Sequence, residues 1–368
     1  MKKIIFFLIS GVFFNNSYSQ ITPFESSMGK KSATYFEAIH LYKLFDKASR
    51  KVMMKTMGNT DAGFPLHLVL ISNDGKFDPA VWHKQNKVVI LINNGIHPGE
   101  PDGIDASLQL VKDIINNKFK LPENVVVAFI PLYNIGGALN RNNFSRVNQN
   151  GPDAYGFRGN SQNLDLNRDF AKNDSRESVS FAKIFHFLDP DIFVDNHVSD
   201  GADYQHTMTL ITTQYDKLGG ELGEWVRNVF DPALYKSMSA KSWDMVPYVN
   251  FETADFEKGM TQFYEQPRYS SGYAALFQTI AYVPETHMLK PYADRVHSTY
   301  ALMQTIIEQA SAHSNVLLKT RRKQIKNIIT KTGFPLNWHL DSTQFTFIPF
   351  KGYEQAFTTS EVTGLRRM

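Results

Sequence analysis

The sequence predicts an α/β fold: a mixed, largely parallel sheet flanked by helices, with a small C-terminal β-containing module. Three observations carry this. Apolar runs rich in β-branched and aromatic residues recur along the chain, helical stretches lie between several of them, and after Gly333-Phe334-Pro335 the pattern changes to short β-like pieces. Of the 368 residues 42% are hydrophobic and 20% charged, which is a globular balance and excludes a disordered or fibrous chain.

Residues 1–19 read as a secretory signal, with Lys2 and Lys3 ahead of an apolar run at 4–14 and a small-residue site at Ser17-Tyr18-Ser19. Cleavage near Ser19/Gln20 is expected, giving a secreted or periplasmic product. The apolar run has 11 residues, short of the roughly 20 that a membrane-spanning helix needs, so no membrane span is expected. The buried strands are placed at 64–71, 88–93, 125–133, 192–195, 208–212 and 279–283. Helices are placed at 104–117, where Ile104, Leu108, Val111 and Ile115 share a face, and at 175–188. Residues 20–312 then form one α/β domain, and 313–368 a C-terminal segment that reads as a piece of a further module. Within it Lys319, Arg321, Arg322, Lys323 and Lys326 read as a solvated basic helix face. With a formal charge of +3 over the whole chain, no nucleic-acid partner is implied. The absence of cysteine excludes disulfides, thiolate metal sites and a cysteine nucleophile.

The chemistry gathers at strand ends, where open α/β sheets bind their ligands. The 88–93 run opens into Gly95-Ile96-His97-Pro98-Gly99-Glu100-Pro101, a loop on which an imidazole and a carboxylate can converge on one divalent ion. The 192–195 run leads into Asn196-His197. Two His and one Glu make the three-ligand set of a catalytic zinc, with His206 as a rival ligand. Between them lies a polar stretch containing Arg146 and then Asn163-Leu164-Asp165-Leu166-Asn167-Arg168. A loop this long in a compact domain is usually functional, and guanidinium forks beside amides suit a carboxylate or an oxyanion. Glu285 follows one more apolar run, either as a surface charge or as a general base.

Together these pieces resemble the M14 zinc carboxypeptidases, the metallopeptidases related to carboxypeptidase A, over residues 30–310. His97-x-x-Glu100 resembles the first ligand pair and His197 the third ligand. Arg146 resembles the arginine that polarises the scissile carbonyl, Asn167-Arg168 the pair that binds the substrate's terminal carboxylate, and Glu285 the catalytic glutamate. Asp165 resembles the carboxylate that hydrogen-bonds a zinc-bound histidine. The resemblance implies a zinc carboxypeptidase-like sheet, one zinc ion, a peptide-like substrate with a free C-terminal carboxylate, and a water activated by zinc and Glu285. It also implies a tyrosine that closes over the substrate. Tyr264, Tyr269 and Tyr273 compete for that role, and Tyr273 is taken. Arg268 stands as a further candidate contact. The loop Asn134-Ile135-Gly136-Gly137 lacks the Pro-Asp of many relatives, and the preferred terminal side chain stays open. Two other readings keep the same residues: a zinc amidase or deacylase acting on cell-wall peptides or N-acyl amino acids, and a non-catalytic extracellular peptide-binding protein.

Overall fold

A computed structural model describes residues 20–201, 203–250, 259–354 and 356–367, so the segment read as a signal lies outside the described residues. Nine strands form one sheet: β1 (Val52–Asn59), β2 (Pro65–Ile71), β3 (Val88–Asn93), β4 (Val125–Ile130), β5 (Ile192–Asp195), β6 (His197–Ser199), β7 (Met208–Thr212), β8 (Val246–Pro247) and β9 (Ile280–His287). Their order is β1-β2-β4-β3-β5-β9-β7-β8, with the short β6 also beside β9. The centre is parallel, since β3 pairs β4 and β5, and β9 pairs β5 and β6, in that sense. Antiparallel pairs β1/β2, β2/β4 and β7/β9 make the sheet mixed.

The architecture is the mixed, largely parallel sheet between helices that the apolar runs predict. Strands β3, β4 and β5 are buried along their whole length, because alternate side chains feed two cores. Ile90 and Ile92 pack with the helices Tyr35–Ala48, Asp102–Ile115 and Tyr292–Ala312. Val89 and Leu91 pack on the other face with the helix Arg176–Leu188, whose first turn is capped by Ser175. No helix among the described residues is long and apolar enough to cross a membrane.

Three elements differ from expectation. β1 is unpredicted, because Val-Met-Met-Lys-Thr-Met at a sheet edge is only partly buried and shows no clean alternation. β9 runs on to His287, past the 279–283 run, because residues 285–287 find a partner in β6, with His197 opposite Glu285. Glu285 is therefore held inside a strand. Last, Arg321 does not belong to a solvated face. On the helix Ser314–Ile329 its buried guanidinium donates to Asp191 Oδ1 at 3.0 Å and to the Gln278 carbonyl at 3.1 Å, while Leu317 and Leu318 enter the same core as β3. Lys319, Arg322, Lys323 and Lys326 are exposed, as expected. Beyond this helix the chain is mostly irregular and ends in a two-stranded pairing of β10 (Thr358–Thr359) with β11 (Arg366–Arg367).

Upstream of β9, Glu265 is fully buried, with Oε1 accepting from the Gln214 N–H at 2.7 Å. Burial pushes its carboxyl from the ordinary 4.5 up to about 7, against the pull of the Gln214 N–H and of Lys217. An acid whose folded value is raised adds stability that is full below its unfolded value and is lost as pH rises through the folded one. The window here is pH 4.5 to about 7. Glu265→Gln is expected to remove about 2 kcal/mol of the stability that the wild type loses between pH 5 and pH 8. Urea denaturation at the two pH values measures it, and equal losses in both proteins would refute the assignment.

Candidate active site

The site is built where β3, β5 and β9 end side by side. After β3 the chain turns sharply at Gly95, whose φ of 66° favours glycine. The turn presents His97 and Glu100 before the helix Asp102–Ile115 begins. That helix seats tightly against the strand ends, since a Cβ on Gly103 would lie 2.5 Å from both Asn196 Cβ and Asn94 Oδ1. Asn93 stands opposite Asp195 in the parallel register and donates to its Oδ1 at 2.9 Å. His197 follows two residues later.

His97, Glu100 and His197 are buried, and each offers a ligand atom within 4.8 Å of the others. Both imidazoles turn Nδ1 toward the glutamate: His97 Nδ1 lies 3.2 Å from Oε1, and His197 Nδ1 lies 3.1 Å from Oε2. Both turn Nε2 toward a carboxylate, to Asp165 Oδ1 at 2.9 Å and to Asp195 Oδ2 at 3.1 Å. Such partners place the proton on Nε2 and leave Nδ1 as the free donor. Around a tetrahedral zinc with bonds of roughly 2.0–2.1 Å, neighbouring ligand atoms stand about 3.3 Å apart. The observed separations and the N, N, O donor set fit that ion.

Charge is managed closely here. Burial resists the ionised Glu100, but His97, Arg146 and His197 hold its carboxyl well below the usual range. Burial also resists a charged His197, yet Asp195, Glu100 and Glu285 hold that imidazole well above its usual value. Burial raises Glu285 to about 8, with His197 opposing and Glu100 adding to the rise. A divalent cation is the natural counter-charge for this group.

Two guanidiniums reach Glu100. Arg146 donates from Nη1 to Glu100 Oε1 at 2.7 Å, from Nη2 to the Val198 carbonyl at 2.9 Å and from Nε to Gln149 Oε1 at 2.6 Å. Arg158 was not singled out by its sequence context. It grips Asp165 Oδ2 with Nε and Nη2 at 3.1 and 2.9 Å, while Nη1 lies 3.3 Å from His97 Nδ1 and 3.6 Å from Glu100 Oε1. Its position seven residues before Asp165, in Phe-Arg-Gly-Asn, was the available signal. Arg158 and His97 line a cavity of about 680 Å³ together with Arg146, Asn148, Asp200 and Met288. Asn167 and Arg168 follow Asp165 on a short turn. The Asn167 Oδ1 is buried without a partner among the described residues, and the Arg168 guanidinium lies 4.7 Å over the Tyr269 ring.

Other candidates lie elsewhere. Tyr273 is packed among Phe170, Phe181, Phe185 and Phe277, and its hydroxyl is 3.4 Å from His186 Nε2, so its ring fills the core and does not face the ligand group. The apolar neighbours Ala274 and Ala275 place that face of the helix Ser270–Ala275 inward. Tyr264 accepts from the Trp338 N–H at 3.3 Å. Tyr248, just after β8, and Tyr204 both feel Glu285, whose charge adds to burial in raising each phenol. His206 is outside the ligand group: Nδ1 faces the Asp244 carbonyl at 3.2 Å and Nε2 accepts from the Lys351 N–H at 3.0 Å. Arg268 is exposed and pairs with Gln266 Oε1 at 3.1 Å.

The sequence profile of the zinc carboxypeptidases matches residues 40–210, a stretch that carries His97, Glu100, Asp165 and His197. Over residues 40–210 the chain is similar to the zinc carboxypeptidase family. Solved structures of the same fold include a metallo-carboxypeptidase from Burkholderia cenocepacia, 15% identical over 77% of this chain and 70% of that one, with a TM-score of 0.56. Carboxypeptidase A from Helicoverpa armigera is 15% identical over 77% and 74%, with a TM-score of 0.57. A metallo-carboxypeptidase from Pseudomonas aeruginosa, solved with (2-guanidinoethylmercapto)succinic acid, is 12% identical over 78% and 70%, also with a TM-score of 0.57. At such identities the likeness is one of fold. A search of curated proteins finds no match. The profile match supports a hydrolase of the metallopeptidase class.

If Asp165 orients His97 as the geometry indicates, Asp165→Asn keeps one zinc per chain but lowers zinc affinity about 10- to 100-fold. His206→Ala leaves affinity at the wild-type level. Competition with a chromogenic chelator measures both, and the reverse ranking would refute this ligand assignment.

Proposed function

We propose that the protein is a zinc-dependent metallocarboxypeptidase that releases C-terminal amino acids from peptides. The observation that carries the reading is the joint aim of the two Nδ1 atoms at Glu100, each backed by a carboxylate, with Glu285 in register opposite His197. His97, Glu100 and His197 would hold the metal. Bound zinc supplies Lewis-acid polarisation and a water acidic enough to react near neutral pH.

The chain's own residues then have distinct tasks. Glu285, whose carboxylate burial makes a stronger base than that of a free glutamate, takes a proton from the attacking water and returns it to the departing amine. Arg158 has a guanidinium edge on the cavity and is suited to the oxyanion. Arg146, with donors to Glu100, Val198 and Gln149, steadies the ligand carboxylate behind it. Asn167 and Arg168 receive the terminal carboxylate, to which the amide N–H groups of one and the guanidinium of the other can donate. Tyr248 is a better-placed candidate than Tyr273 for contact with bound peptide. The proposal extends to export of the chain after removal of residues 1–19, and to a catalytic domain that begins at residue 20.

A blocked dipeptide with a free C-terminus is expected to be hydrolysed, its C-terminally amidated form to be ignored, and chelation to abolish turnover. Hydrolysis of both forms at similar kcat/KM would favour an amidase. Glu285→Gln should retain zinc and lose at least ~10³-fold in kcat, so an active Gln variant would remove Glu285 from the mechanism. Arg158→Ala should lower kcat by about 10²–10³-fold with KM changed far less; a change confined to KM would mean that Arg158 only binds.

A further inference from the structure

At the first turn of the helix Tyr292–Ala312, the Arg295 side chain has no exposure to solvent. It donates from Nε to Asp102 Oδ2 at 3.0 Å and from Nη2 to Asp102 Oδ1 at 3.4 Å. Its remaining bonds go to main-chain carbonyls: Gly151 at 2.9 Å from Nη2, and Asn150 at 3.1 Å, Met288 at 3.0 Å and Lys290 at 2.9 Å from Nη1. The carboxylate it faces also accepts from the Thr286 hydroxyl at 2.5 Å, and that hydroxyl lies 3.3 Å from the His197 carbonyl.

These partners come from three separate segments. Asp102 is two residues beyond Glu100. Thr286 follows Glu285. Met288 lines the cavity, and Asn150, which donates its own N–H to the Met288 carbonyl at 2.8 Å, closes the loop that carries Arg146. None of the four carbonyls on Arg295 is used in a sheet ladder; the Met288 carbonyl also accepts from the Asn150 N–H, and the other three meet the guanidinium. A buried ion pair is by itself weak evidence for stability, since apolar residues often serve as well. A planar fork with five donors does what apolar residues cannot: it fixes several loops in one plane.

We propose that Arg295, acting through Asp102 and Thr286, is the positioning residue that sets the spacing of Glu285 and the Arg146 loop from the metal ligands. The proposal rests on the metallocarboxypeptidase reading for the meaning of that spacing. Its physical content, three segments locked by one guanidinium, can be tested apart from activity.

The test uses Arg295→Lys and Thr286→Val in the full chain. Lysine keeps a positive charge opposite Asp102 but loses the fork, and valine keeps the shape of threonine but removes the bridging hydroxyl. For Arg295→Lys the expected result is one zinc per chain, kcat reduced about 10- to 100-fold with KM within threefold, and a joint loss of amide-exchange protection at 97–101, 146–151 and 286–290. Thr286→Val should give the same pattern more weakly. A variant that melts earlier but keeps wild-type kcat and protection would overturn the proposal, as would protection lost only within 292–312. If the wild type hydrolyses no peptide, the functional reading fails instead. The exchange experiment then still decides whether Arg295 couples these segments, and unchanged protection overturns that coupling.

Discussion

A carboxylate taken out of water must be met by charge or by donors, and Glu100 is the group on which the rest of the site depends. It is 3% exposed and sits where β3 gives way to a helix. Left alone there it would be neutral, because burial favours the protonated acid. It is not left alone: two imidazoles, the Arg146 guanidinium and the Val198 N–H, at 2.9 Å, converge on it. Each imidazole is then backed by a further carboxylate. A divalent cation bound between the two Nδ1 atoms would take over from the imidazoles as the counter-charge to Glu100.

The sheet makes this concentration of charge possible. Parallel strands end in step, so β3 and β5 deliver His97 and His197 to the same crevice without long-range adjustment. β9 lies on the other side of β5 and continues beside β6, bringing Glu285 level with His197. The strands themselves cannot shift, because both faces of β3 and β5 are packed and slippage by one residue would exchange the two cores. What remains adjustable is the set of loops above the strand ends, which is where Arg295 ties Asp102 to the 150–151 and 288–290 turns.

The central strands were legible because fully buried strands write themselves as unbroken Val, Ile and Leu runs, and His97, Glu100 and His197 because glycine, proline and strand ends frame them. The rest was not, for physical reasons. β1 is an edge strand with mixed burial and leaves no alternation to read. Arg321 lies among exposed basic residues, and its partners, the exposed Asp189 and the buried Asp191, are more than a hundred residues away in sequence. Tyr273 had a plausible spacing from Glu285, but spacing does not say which face of a short helix meets the core, and its neighbours put it among phenylalanines. Arg158 and Tyr248 carry no local signature; only the folded loops bring one to His97 and the other under the influence of Glu285.

The two arginines beside Glu100 illustrate how burial divides labour between identical side chains. Arg146 has its side chain 14% exposed and uses Nε, Nη1 and Nη2 on a glutamine, the ligand glutamate and a strand carbonyl. A guanidinium committed in that way cannot turn toward a reacting group without abandoning Glu100. Arg158 is 46% exposed, and its fork is anchored on Asp165 from one side only. Its Nη1 is the member that faces His97 and the cavity. Anchoring through two nitrogens holds the plane of the fork, and under the proposed mechanism that is what a preorganised oxyanion donor requires, with the third nitrogen left to meet charge as it develops. Asp165 thus orients His97 with one oxygen and Arg158 with the other. A single carboxylate on the Asn163–Arg168 turn couples the metal side of the site to its substrate side.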